Sequence, residues 1–227
     1  MTTPIIVLVI LYAIAFLLYL YTSGLGRNYY RAANKIILAG LYVAIAIVGF
    51  VQNGRNFASF EVVLLIALFF TFIGDVVLMI NFKIGAGIFT IGNLLLFVYE
   101  ILLLDSMNHK FSEYWWFLLI WAGVLGGYML LEKLTSRFEI SGLKTRLETF
   151  AYLGLVSLHG CVGLTMYFIT DIPWCIMLGI GSALFMASDF VLCSYTYSVN
   201  HYKAVHRLNT FLYFVGIFLV ALSQVGF

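Results

Sequence analysis

Two aspartates stand inside long apolar runs: Asp75 in LFFTFIGDVVL, residues 68–78, and Asp189 in LFMASDFVL, residues 184–192. A carboxyl in such a run is costly to place in lipid, so it faces the protein interior and marks a candidate site. Two carboxyls sharing a dry pocket can do acid–base chemistry. Desolvation and mutual repulsion leave one with its proton and the other ionised, which suits proton donation to a substrate and stabilisation of a cationic intermediate. The plainer alternative is that each aspartate caps a neighbouring helix or bonds a nearby Ser or Tyr. Gly74 and Ser188 directly precede the two acids, and residues this small let helices close around a pocket.

The remaining polar residues in apolar runs carry weaker signals. Glu61 and Glu100 fall near the outer ends of their runs, where a carboxylate reaches water or headgroups, so a structural role is expected. His159 lies near the middle of its run and is expected to bond a neighbouring helix; a proton carrier is the other reading. His201 and His206 are not on one helical face, and Cys161, Cys175 and Cys193 show no CxxC spacing. No zinc site, other metal site or disulfide framework is expected.

These residues must be positioned by helices. Hydrophobic residues make up 63% of the 227 positions and charged residues 10%, which leaves no room for a water-soluble domain between apolar runs of about 20 residues. Open strands of this composition would leave unpaired backbone groups in lipid, so the runs must be helical. Candidate spans fall at about 4–23, 35–51, 60–80, 84–104, 115–131, 149–169, 173–193 and 208–227. The expected architecture is therefore an all-α, eight-helix transmembrane bundle forming one domain over residues 1–227.

The basic residues give an independent check on that count, because they collect on the cytoplasmic side. Arg27, Arg31, Lys35, Lys83, Lys133, Arg137, Lys144, Arg146, Lys203 and Arg207 all follow spans one, three, five or seven, and only Arg55 and Lys110 fall opposite. Both termini are then expected on the non-cytoplasmic side, with the acidic pair near the cytoplasmic face. Trp115, Trp116 and Trp174 begin spans at the outer boundary, where indoles prefer to sit. A net charge of +2, explained by topology, gives no reason to expect nucleic acid. Membrane lipid is the expected partner, in a cell membrane, and the sequence gives no oligomeric state.

The stretches FIGDVVLMINFKIGAGIFTIGNLLLFVY (72–99), GSALFMASDFVLCSY (181–195) and LYFVGIFLVALS (212–223) resemble the YhhN family of membrane lysoplasmalogenases. Order and spacing agree as well. The resemblance covers the GD step, a Gly-x-Phe on the next span, the G-x-x-x-F-x-x-S-D step and a Tyr on the last span. Two positions depart from the family pattern: Asn93 stands where the family commonly has His, and Ile217 where it commonly has Gln or His.

The resemblance implies eight spans and an acidic pair at Asp75 and Asp189, with Asn93 and Tyr213 as neighbours. It implies hydrolysis of the vinyl ether of a lysophospholipid, a lysoplasmalogen, to a fatty aldehyde and a glycerophospho-alcohol. That reaction begins with proton donation to an alkene carbon and passes through an oxocarbenium-like cation, as in glycosidases. The aspartates would act as acid and base, in either order. Asn93 and Tyr213 would orient water or substrate, Gly74 and Ser188 would shape the pocket, and no cofactor is needed. Two readings from other classes stand beside it: a transporter or proton-coupled carrier using the same acids, and a non-catalytic lipid-binding membrane protein.

Overall fold

The structure, a computed structural model, describes residues 2–23, 28–134, 143–197 and 202–226. Every regular element among them is helical: α1 (Thr3–Ser23), α2 (Asn28–Gln52), α3 (Val62–Leu78), α4 (Phe82–Ser106), the short α5 (Phe111–Tyr114), α6 (Phe117–Leu134), α7 (Leu143–Ile169), α8 (Pro173–Thr196) and α9 (Lys203–Ser223). The eight long helices match the eight expected spans, and the protein is an all-α membrane bundle. Six of them are long and apolar enough to cross a membrane: α1, α2, α4, α7, α8 and α9. α3 is apolar but has 17 residues, a rise of about 26 Å. Turns at Ser59–Val62 and Val76–Ile80 lengthen it at both ends.

Local chemistry sets the breaks. Asn81 is extended between α3 and α4, and its side chain accepts the Ile84 N–H at 3.2 Å, capping α4. Pro173 occupies the first turn of α8, where a missing N–H costs nothing. Gly54 takes a left-handed φ of 64° after α2, a conformation open to glycine.

Several helices begin earlier than their apolar runs. α2 starts at Asn28 rather than 35, α7 at Leu143 rather than 149, and α9 at Lys203 rather than 208. Arg31, Lys35, Lys144, Arg146, Lys203 and Arg207 therefore sit on terminal helical turns, not in loops. Long basic side chains allow this, since their stems lie along apolar surface while the charge reaches a polar partner. Arg27, Arg137 and His201 lie outside the described residues.

Neighbour relations close a ring in the order α2, α3, α4, α7, α8, α9 and back to α2. α1 packs outside it on α2 and α9, and α6 packs outside it on α7. Glycines bring α8 close to both of its partners. A methyl group on Gly179 would collide with the Gly163 carbonyl oxygen of α7, and one on Gly181 would lie 2.8 Å from the Gly216 oxygen of α9. Outward-facing Ile6, Leu17, Leu119 and Phe168 are exposed, as suits lipid contact. At one end of the ring the end of α9 is clamped: Asn53 Nδ2 donates to the Gln224 carbonyl at 2.8 Å, and Arg55 donates to the Gln224 side-chain oxygen.

Candidate functional site

Asp75 and Asp189 come from opposite halves of the sequence, yet both are buried and both line one cavity of about 480 Å³ inside the ring. α3 reaches it because Gly74 lets α4 close in. A methyl group at Gly74 would touch Phe89 at 3.1–3.2 Å, including its backbone. α8 reaches it through the glycine contacts on either side. Exposed Met79 and Phe82 also line the cavity, so it opens to the surface there.

The two carboxyls have unlike surroundings. Asp75 Oδ1 receives Lys35 Nζ at 2.9 Å, and its Oδ2 accepts the Tyr213 hydroxyl and the Tyr42 hydroxyl, the latter at 3.4 Å. Lys35 also donates to the Asp75 backbone carbonyl at 3.4 Å. A cation and two hydroxyls, all donors, suit an ionised carboxylate. Among the described residues Asp189 Oδ1 accepts only the Tyr152 hydroxyl, at 3.5 Å, while its buried Oδ2 has no partner. Among the described residues no cation pairs with Asp189. A buried carboxyl so poorly supplied with donors is costly to ionise.

Tyr213 is held by aromatic rings. Its ring meets Phe185 edge-on at 5.2 Å, Phe214 at 4.7 Å and Phe89 at 5.8 Å. Ser188 lines the cavity too, with its hydroxyl donating to the Phe185 carbonyl at 2.6 Å.

Three expectations are corrected by placement. Asn93 is buried but does not line the cavity; its amide donates to Phe89 of its own helix at 3.0 Å, and its Oδ1 lacks a partner. Glu100 does not reach water or headgroups. It is fully buried, accepts the Ser182 hydroxyl at 2.6 Å and leaves Oε2 unpartnered, because α8 packs across it. His159 bonds no neighbouring helix among the described residues: neither ring nitrogen has a partner there, and the ring rests edge-on against Phe185 at 5.1 Å. Glu61 lies beside Arg55, 3.9 Å from its Nε.

Lys35, Arg31, His206, Tyr42 and Tyr152 were not found from sequence. In the sequence the two cations stand at the start of the second apolar run, where topology alone accounts for their charge. The spacing of residues 31, 35 and 42 places all three on one helical face, and this was the available signal. Arg31 Nη2 meets His206 Nε2 at 2.9 Å, and both residues line the cavity. The three cysteines are buried and unpaired, and no group of three potential metal ligands forms among the described residues.

Residues 30–224 match the family model described as the YhhN family. No curated protein and no solved structure matches the chain.

Proposed function

Since the chain belongs to the YhhN family, we propose that it hydrolyses the vinyl ether of a lysoplasmalogen, with Asp189 as proton donor and Asp75, bound by Lys35 and two tyrosine hydroxyls, as its partner. The observation that carries this reading is the unequal supply of donors to two carboxyls on one cavity. Acid–base work needs that inequality, since one group must hold a proton while the other does not.

Asp189 gives its proton to the alkenyl carbon remote from the ether oxygen. The resulting cation is shared between the adjacent carbon and oxygen, and the carboxylate left on Asp189 faces it across the cavity. Water adds to the cationic carbon and returns a proton to Asp189. The hemiacetal then collapses to a fatty aldehyde and a glycerophospho-alcohol, so one water is consumed and the acid is regenerated. Asp75 takes no proton in this scheme. Bound by Lys35 and two tyrosines, it fixes the Tyr213 hydroxyl on the cavity wall as a positioning group. The alkenyl chain lies along Leu78, Phe89, Leu192 and Phe214, and the basic end of the cavity faces the cytoplasm.

The test is aldehyde release from an alkenyl lysophospholipid by purified protein, with an ester lysophospholipid as control. Asp189→Asn is expected to lower the rate at least about 100-fold with the fold intact. Near-normal rates in both Asp189→Asn and Asp75→Asn, or no aldehyde from the unaltered protein, would remove the hydrolase.

A further inference from the structure

Lys35 and Arg31 lie one turn apart on α2, line the same cavity and are differently engaged. Lys35 is bound to Asp75, so its charge is already offset. Arg31 meets only a neutral acceptor, Nε2 of His206, and among the described residues no carboxylate pairs with it. Accepting at Nε2 leaves the hydrogen on Nδ1, so His206 can still donate. Guanidinium carries five donors in a planar fork and spends few of them here. The rest of the cavity grades into apolar side chains, among them Leu78, Phe82 and Phe214.

We infer that Arg31, oriented by His206, is a phosphate-binding subsite that seats the headgroup of a single-chain phospholipid in the cavity holding Asp75 and Asp189. An anion fits there for want of any other among the described residues: the two acids of the cavity are Asp75, whose charge is offset by Lys35, and Asp189, which pairs with no cation. Among its described lining residues the cavity thus joins one unspent cation to an apolar trough, which matches a phosphate carried on one alkyl chain. The same arrangement orients the substrate, because phosphate on Arg31 holds the start of the chain between α2 and α9, against the acids. This inference rests on the reading of the cavity as a lysophospholipid site, but it concerns binding and does not require turnover.

The experiment measures binding of two ligands that vinyl ether hydrolysis cannot cleave, 1-O-hexadecyl-glycerophosphocholine and 1-O-hexadecylglycerol, which lacks phosphate. The unaltered protein is expected to bind the first more tightly by about tenfold or more, and Arg31→Gln to remove that preference while leaving the second ligand unchanged. Arg31→Lys keeps the charge without the fork, and is expected to retain part of the preference. His206→Ala is expected to weaken it by a few-fold. Inorganic phosphate added to the unaltered protein should compete with the phosphate-bearing ether and not with the alcohol. An unchanged ratio between the two ligands in Arg31→Gln and Arg31→Lys, or no competition by phosphate, overturns the subsite. Retained ligand discrimination in a protein that releases no aldehyde would leave the subsite standing and remove the hydrolase.

Discussion

Lys35 Nζ lies 2.9 Å from Asp75 Oδ1, joining the first turns of α2 to the last turns of α3, with the lysine side chain 18% exposed and the aspartate 3%. Removing one partner of such a pair leaves the other charge buried and uncompensated. Lys35→Met is therefore expected to cost about 3 kcal/mol of stability. Adding Asp75→Asn should return part of that loss, because the stranded charge is then gone. A double-mutant cycle on thermal or denaturant unfolding measures the coupling, and purely additive effects would contradict the pair.

Tyr213→Phe isolates a single hydroxyl. The ring contacts with Phe89, Phe185 and Phe214 remain, while Asp75 Oδ2 loses its closer hydroxyl donor and keeps Tyr42 at 3.4 Å. A hydrogen bond to a charged group is worth about 1.5–3 kcal/mol, so unfolding should shift by an amount of that order. Aldehyde release should fall about tenfold or more through kcat, since the hydroxyl positions the cavity wall and does not grip the lipid chain. A change confined to KM would assign Tyr213 to substrate binding instead.

The helices and the two aspartates were legible in the sequence because both signals are local: apolar runs of membrane length, and an acid within each of two runs. Asp75 and Asp189 do line one cavity. What was not legible depends on which helices touch. A cation at the end of an apolar run is ordinarily solvated, whereas α2 begins seven residues before Lys35 and presents that cation to α3. Position along its apolar run places Glu100 at the boundary, yet burial is decided by α8 packing over it at Ser182. Asn93, carried over from the family pattern, faces its own helix backbone outside the cavity.

Glu100 and His159 make opposite predictions although both are fully buried. Glu100 accepts the Ser182 hydroxyl, and Glu100→Gln keeps an acceptor of the same shape, so stability should stay within about 1 kcal/mol. Glu100→Leu strands the serine hydroxyl and should cost about 1–3 kcal/mol. His159 has no hydrogen-bond partner at either nitrogen, so an apolar replacement gives up only shape. His159→Leu should raise the unfolding midpoint or leave it unchanged. A clear loss would mean that the imidazole holds a partner such as a buried water.

Gly179 tests whether close helix approach, rather than side-chain chemistry, places Asp189. A Cβ there would strike the Gly163 carbonyl oxygen, a backbone atom that cannot rotate away, so α7 and α8 would have to part. Overpacking of this kind costs about 1–3 kcal/mol. Gly126 on α6 has nothing within 4 Å of the same built atom, and Gly126→Ala should be neutral or stabilising by up to about 1 kcal/mol through helix propensity alone. Moving α8 away from α7 also moves Asp189 from the Tyr152 hydroxyl that α7 supplies. Gly179→Ala should therefore lower aldehyde release as well as stability, while Gly126→Ala leaves the rate untouched. Equal effects at the two glycines would show that helix propensity, not the α7–α8 contact, governs both.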